Sequence, residues 1–225
     1  MSLLLLQIVF MAKKIVLNSY SKEEEQLNVI SHAIGLFLSI IALVFLLLKS
    51  IPTSSFIVIF SSAVFGISAI CLYLASMSYH REKDPVRRMK LKIFDHSSIY
   101  ILIAGSYTPF LLITLKGFTG NIIFVSVWSI AVIGVVLKLF FAGRFSLVST
   151  ISYVLMGWII VFAFKPLYAN LPSGGFFWLL AGGVAYTIGA LLYQIKKMKF
   201  NHAIFHFFVL IGTICHFISV YFFVI

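Results

Sequence analysis

An all-α integral membrane protein, a bundle of seven transmembrane helices, is the fold this sequence predicts, and three observations predict it. The 225 residues are 62% hydrophobic and only 10% charged, with a mean hydropathy of +1.11; a soluble domain carries nearly half apolar and about 25% charged residues. Seven apolar runs each reach the roughly 20 residues that a helix needs to cross a hydrocarbon core about 30 Å thick. The basic residues gather in short connections rather than along a surface, which is how membrane topology is written. That placement also sets aside nucleic acid as a partner despite the net charge of +11.

In chain order, the spans read 27–48, 55–79, 93–115, 120–142, 146–168, 175–195 and 203–225, forming one membrane domain over 27–225. Pro52, Lys116-Gly117, Gly143-Arg144, Pro172 and Gly174-Gly175 punctuate the connections. Residues 1–26 form an amino-terminal segment. Its first ten, MSLLLLQIVF, lack the positive n-region and cleavage site of a secretory signal. Met11 follows at once, so this stretch reads as a start-site artefact or a short interfacial segment. Cys71 and Cys215 fall inside apolar runs and read as small buried hydrophobes.

Seven spans put the amino terminus and every second connection on one side. That side holds Lys13, Lys14, Lys22, Arg81, Lys83, Arg87, Arg88, Lys90, Lys92, Lys138, Arg144, Lys196, Lys197 and Lys199, fourteen of the seventeen basic residues. The other side has Lys49, Lys116 and Lys165. The positive-inside rule therefore predicts a cytoplasmic amino terminus and an extracellular carboxyl terminus in the cell membrane. REKDPVRRMKLK, residues 81–92, reads as a basic loop that fixes topology and meets anionic headgroups.

Ionisable groups within spans are costly and mark function. Here they are His32, His80, Asp95, His96, His202, His206 and His216. His80 ends span 2, Asp95 and His96 begin span 3, and His202 and His206 begin span 7, all on the basic side. His202 and His206 in NHAIFH stand i and i+4, on one helix face, as do Ser76 and His80 in SMSYH. Three imidazoles from two helices with one open position form a ligand set seen at catalytic zinc. Asp95 would hold a metal-associated water or an imidazole and accept a proton, and Ser76 would hydrogen-bond the same water.

The remaining groups read differently. His96 points about 100° from Asp95, so the two are not expected to face one site together. His216 lies about 15 Å deeper than His206 and reads as a packed, hydrogen-bonded core histidine. Glu25, Asn28 and His32 share a face of helix 1. For Glu25 and His32 the expected roles are helix capping and interhelical hydrogen bonding.

SMSYH, FDHSSIYILIAGSYTPF, GGVAYTIGALLYQIKK and NHAIFHFFVLIGTICHF together resemble the bacterial hemolysin III proteins, which belong with the progestin and adiponectin receptor family. The likeness runs from Glu23 to the carboxyl terminus. It implies a seven-helix bundle with an intracellular amino terminus and a zinc held by His80, His202 and His206. It also implies that Asp95 and Ser76 lie beside a metal-associated water, and that Glu25 and Asn28 match an E-x-x-N element. Asn201 departs from the proline or similar residue expected before the first histidine. Imidazole suits several metals, so the choice of zinc rests partly on this resemblance.

The function expected is a zinc-dependent, ceramidase-like hydrolase that cuts an amide or ester of a membrane lipid at the cytoplasmic side, its partners being membrane lipids and one metal ion. A second reading is a regulator of membrane lipid composition with a structural zinc. A pore-forming hemolysin ranks last, because spans 4 and 5 have almost no polar residues to line a path.

Overall fold

The computed structural model describes residues 20–225; MSLLLLQIVF and the Lys13-Lys14 pair lie outside the described residues. Among those described, seven helical spans are long and apolar enough to cross a membrane. Helix α1 covers Lys22–Ser50 and continues in a 3₁₀ turn, Ile51–Thr53. Helix α2 covers Phe56–Arg81. Helix α3 covers Pro85–Pro109 and widens into a π-turn, Phe110–Thr114. Helix α4 covers Phe118–Phe141. The fifth span is built from α5 (Ser146–Gly157), a 3₁₀ turn (Ile159–Ala163) and α6 (Phe164–Asn170). Helix α7 covers Ser173–Gln194, and α8 covers Asn201–Ser219 with a closing π-turn, Val220–Val224.

Helix starts have local causes. Ser21 caps α1 by accepting the Glu24 N–H (3.2 Å), and Glu23, Glu24 and Glu25 occupy the positive end of the helix dipole. Asp84 caps α3 by accepting the Arg87 N–H (2.8 Å), with Pro85 in the first helical position. This corrects the reading of 81–92 as a loop. Most of that stretch is the first two turns of α3, which begins at Pro85 rather than at 93. Lys92 is fully buried there, and Arg88 forms an ion pair with Glu25.

The spans differ in how deeply they sit. Sixty-seven per cent of the apolar window of the third span is buried, against 11% for the fifth. Helix α3 packs on α2 and α4; on the other flank α1 packs on α2 and α8, and α8 packs on α7. Phe65, Leu72, Tyr73, Leu102, Phe110 and Val127 fill the interior. Phe37, Leu48, Phe118 and Phe162 face outward, as expected where the solvent is lipid.

The fifth span is broken where the sequence predicts one continuous helix over 146–168. Backbone groups freed inside a membrane need partners, because lipid offers none. Tyr107 of α3 supplies them. Its hydroxyl is shared between the carbonyls of Met156 (3.0 Å) and Gly157 (2.6 Å) and accepts the Ile160 N–H (3.1 Å). Trp158 turns its indole N–H to Thr187 of α7 (2.9 Å). The break therefore holds the fifth span against α3 and α7 at a defined point.

Candidate metal centre

The end of α2, the start of α8 and the first turns of α1 meet at the end of the bundle that carries most of the basic residues. There His80, His202 and His206 converge, each buried, with one ligand nitrogen per ring lying within 4.8 Å of the others. Nε2 of His80 and Nε2 of His202 stand 3.0 Å apart. The ring centroids of His202 and His206 are 4.4 Å apart, as their i, i+4 spacing requires. Imidazole nitrogens about 2.0–2.1 Å from a tetrahedral zinc would stand roughly 3.3 Å from one another. The His80–His202 pair is close to that spacing, so the donor set could hold a metal ion.

The protonation pattern supports the same conclusion. Nδ1 of His80 lies 2.6 Å from the Glu25 carboxylate, and a carboxylate only accepts. Nδ1 therefore carries the hydrogen, and Nε2 offers its lone pair to the centre of the cluster. A carboxylate behind a ligand imidazole is a recurring arrangement that fixes tautomer and ring orientation. Glu25 is in turn held by Arg88, and the buried Asn28 amide lies 3.3 Å from the same His80 nitrogen. Glu25 thus makes the interhelical hydrogen bond expected of it, and its partner is the site itself.

The other two rings are also seated by α1. Nδ1 of His206 lies 3.5 Å from Ser31 Oγ, which itself donates to the Asn28 carbonyl (3.1 Å). His32 stacks on His206 with 3.7 Å between centroids and 25° between planes. The hydrogen bond expected of His32 is not formed: neither ring nitrogen has a partner among the described residues. Helix α8 starts after Phe200, a left-handed residue (φ 58°) with no side-chain cap. Glu24 of α1 takes over by accepting the His202 N–H (3.3 Å). Tyr20 stacks on the His202 ring at 4.8 Å. Between α7 and α8, Lys196 lies 3.7 Å over the Tyr193 ring, and burial pushes its ammonium below the usual lysine range.

Asp95 is buried on α3, beside Ser76, His80 and Lys92. Ser76, His202, His206 and Asp95 line part of a cavity of about 630 Å³ that lies between α3, the fifth span, α7 and α8, with His32 of α1 and Leu72 of α2 also at its wall. His80 lies behind this wall. His96 also lines the cavity, against the expectation that Asp95 and His96 would not face one site. The reason is the depth of α3: in the most buried span, two directions about 100° apart can both meet a wide cavity. His216 lines the far part of the same cavity and is not in the metal-capable group, as its depth implies.

Fold and site together define a multi-pass cell-membrane protein with a buried three-histidine centre capable of holding a metal ion. The family profile described as Haemolysin-III related matches residues 20–217, and the chain belongs to that family. It is 47% identical over 204 residues to the Hemolysin-3 homolog of Bacillus subtilis (strain 168), covering 91% of this chain and 96% of the relative. It is 44% identical over 203 residues to Hemolysin-3 of Bacillus cereus, covering 90% and 93%. A more distant relative is the human monocyte to macrophage differentiation factor, 23% identical over 167 residues, 70% of this chain and 68% of that protein. That similarity supports the link to the progestin and adiponectin receptor family. No solved structure matches.

Proposed function

We propose that this protein is a zinc-dependent hydrolase of a membrane lipid, with His80, His202 and His206 as ligands, Asp95 as the proton-transfer group and Ser76 as its hydroxyl partner. The observation that carries this reading is the placement of Asp95 and Ser76 with two of the three histidines at the end of one largely apolar cavity. When bound, zinc supplies Lewis acidity toward a carbonyl and acidifies water toward neutrality. The chain's own residues do the rest. Glu25 keeps the His80 ring aimed. Asp95 takes the proton of an attacking water and returns it to the leaving amine or alkoxide. Ser76 orients that water. The cavity walls receive the acyl chain and keep bulk water out.

The reaction end faces the cytoplasm in this reading, supported by the basic residues gathered there. Against the regulator with a structural zinc stands the ligand count. Among the described residues no fourth histidine, cysteine or carboxylate joins the group, which leaves a coordination position for substrate or water.

The test joins two measurements on detergent-purified protein. Mass spectrometry should find near-stoichiometric zinc in the wild type and none in His206→Ala. Zinc-loaded wild type should release fatty acid from vesicles containing ceramide or an acyl ester lipid, and chelator-stripped protein should not. Hydrolysis that survives metal removal would refute the proposal. Zinc bound with no hydrolysis of either lipid class would favour the regulator.

A further inference from the structure

We propose that the groove between α1, α2 and α8 is a lipid site of its own: it seats one acyl chain of an anionic phospholipid from the leaflet away from the three-histidine centre, with Lys49 on the phosphate. The groove shares no lining residue with the large cavity, so the proposal stands apart from the hydrolase reading.

The groove has a volume of about 300 Å³. Leu46, Phe65, Ala69 and Tyr73 form a buried floor, while Leu38, Ile41, Phe45 and Ile214 form an exposed rim, so it opens toward lipid. Its hydroxyls are already engaged. Ser39 donates to the Leu36 carbonyl (2.9 Å), Thr213 donates to the Val209 carbonyl (3.0 Å), and Tyr73 donates to Thr213 (2.8 Å). What remains for a ligand is apolar surface.

Helices α1 and α8 run away from the histidines and α2 runs toward them. Gly35, Tyr73 and Leu210 therefore mark the inner end of the groove, and Phe45, Phe65 and Phe217 the outer end. From Gly35 to Phe45 is roughly 15 Å along α1, half of a hydrocarbon core about 30 Å thick. The inner end is closed: the Tyr73 ring lies where a Cβ at position 35 would stand, and its hydroxyl reaches across to α8. The groove is one leaflet deep.

Charge at the outer end selects the occupant. Lys49 follows Phe45 by one turn of α1 and is partly exposed. Its ammonium donates to the Tyr221 carbonyl and lies 4.7 Å over the Tyr221 ring. Tyr221 in turn stacks on Phe217 (5.5 Å) and packs edge-on against Phe45 (6.3 Å), both groove residues. The cation is thus held at the mouth of the groove, and an ammonium with three hydrogens has two left to donate. No carboxylate side chain is there to receive them. All six acidic residues, Glu23, Glu24, Glu25, Glu82, Asp84 and Asp95, belong to the histidine end of the bundle. The other two lysines of the outer side, Lys116 and Lys165, are exposed and line no part of the groove. A phosphate at the level of Lys49, with its acyl chain running inward along α1, matches both the charge and the depth.

The test is native mass spectrometry of full-length protein in detergent, titrated with dioleoyl phosphatidylglycerol and, separately, dioleoyl phosphatidylcholine. Wild type should retain one phosphatidylglycerol more tightly than phosphatidylcholine. Lys49→Gln should weaken that adduct about ten-fold, the value of one hydrogen bond between charged groups, and Lys165→Gln, which removes the same charge elsewhere on that side, should leave it unchanged. Ala42→Phe, which fills the groove, should weaken both lipids; Ile214→Trp at the rim replaces it if Ala42→Phe does not fold. Equal retention of the two lipids by wild type would overturn the proposal. So would a phosphatidylglycerol affinity that survives in folded Lys49→Gln or in the filled groove, because the lipid would then sit at the basic end or in the large cavity. Equal losses in Lys49→Gln and Lys165→Gln would reduce the effect to net charge and overturn it as well.

Discussion

Helix α8 brings histidines to both ends of one cavity, and the two ends are built in opposite ways. At one end His202 and His206 meet His80, and α1 supplies a carboxylate, an amide and a hydroxyl behind them. At the other end His216 stands alone, hydrogen-bonded to a backbone carbonyl through one nitrogen. Burial is comparable at both, so burial does not distinguish them. What distinguishes them is convergence from several helices and a carboxylate that fixes a tautomer. A buried imidazole in a membrane becomes a metal-ligand candidate when one of its nitrogens meets those of other imidazoles.

The sharpest way to break this comparison is to delete one histidine from each end. His206→Ala should lose essentially all bound zinc, while His216→Ala should keep the wild-type metal content, both read by mass spectrometry on folded protein. Equal loss in the two would mean that metal retention reports bundle integrity and not a local centre. Asp95→Asn should retain zinc and lower fatty acid release by about 10²–10⁴-fold, the range of general acid–base catalysis. A loss of metal instead would make Asp95 a ligand.

Smaller effects sharpen the picture. Glu25→Gln preserves shape but removes the charge behind His80, and it should weaken metal affinity by about 10–100-fold in a competitive chelator titration. An unchanged affinity would reduce Glu25 to the partner of Arg88. Tyr107→Phe should leave the metal in place and lower stability by about 1–3 kcal/mol, because the backbone groups at the break in the fifth span lose their partner. A lower thermal midpoint with unchanged zinc would separate the scaffold of the cavity from its chemistry.

Much of this was legible in the chain. The seven spans follow from hydropathy and length. The metal-capable trio follows from two i, i+4 pairs placed at one depth by counting lysines and arginines. The start of α3 was legible too, and the run of cations hid it. Asp84-Pro85 is a cap followed by a first-turn proline, which outranks charge as a signal. Glu25 was harder. Its part in the site depends on which way α1 packs against α2, and nothing in its own neighbourhood tells a capping glutamate from one that reaches 55 residues along the chain.

The sequence alone determined that this protein is a membrane bundle and that certain histidines share a layer, because hydropathy and helical periodicity are local properties. The tertiary structure alone decided that Glu25 orients His80, that Asp95 and His96 open on one cavity, that Tyr107 holds a broken fifth span and that one nitrogen of His216 lacks a partner. Each of these depends on which faces of distant helices meet. In a bilayer every face is apolar, so the sequence pattern that separates inside from outside in a soluble protein carries little of that information.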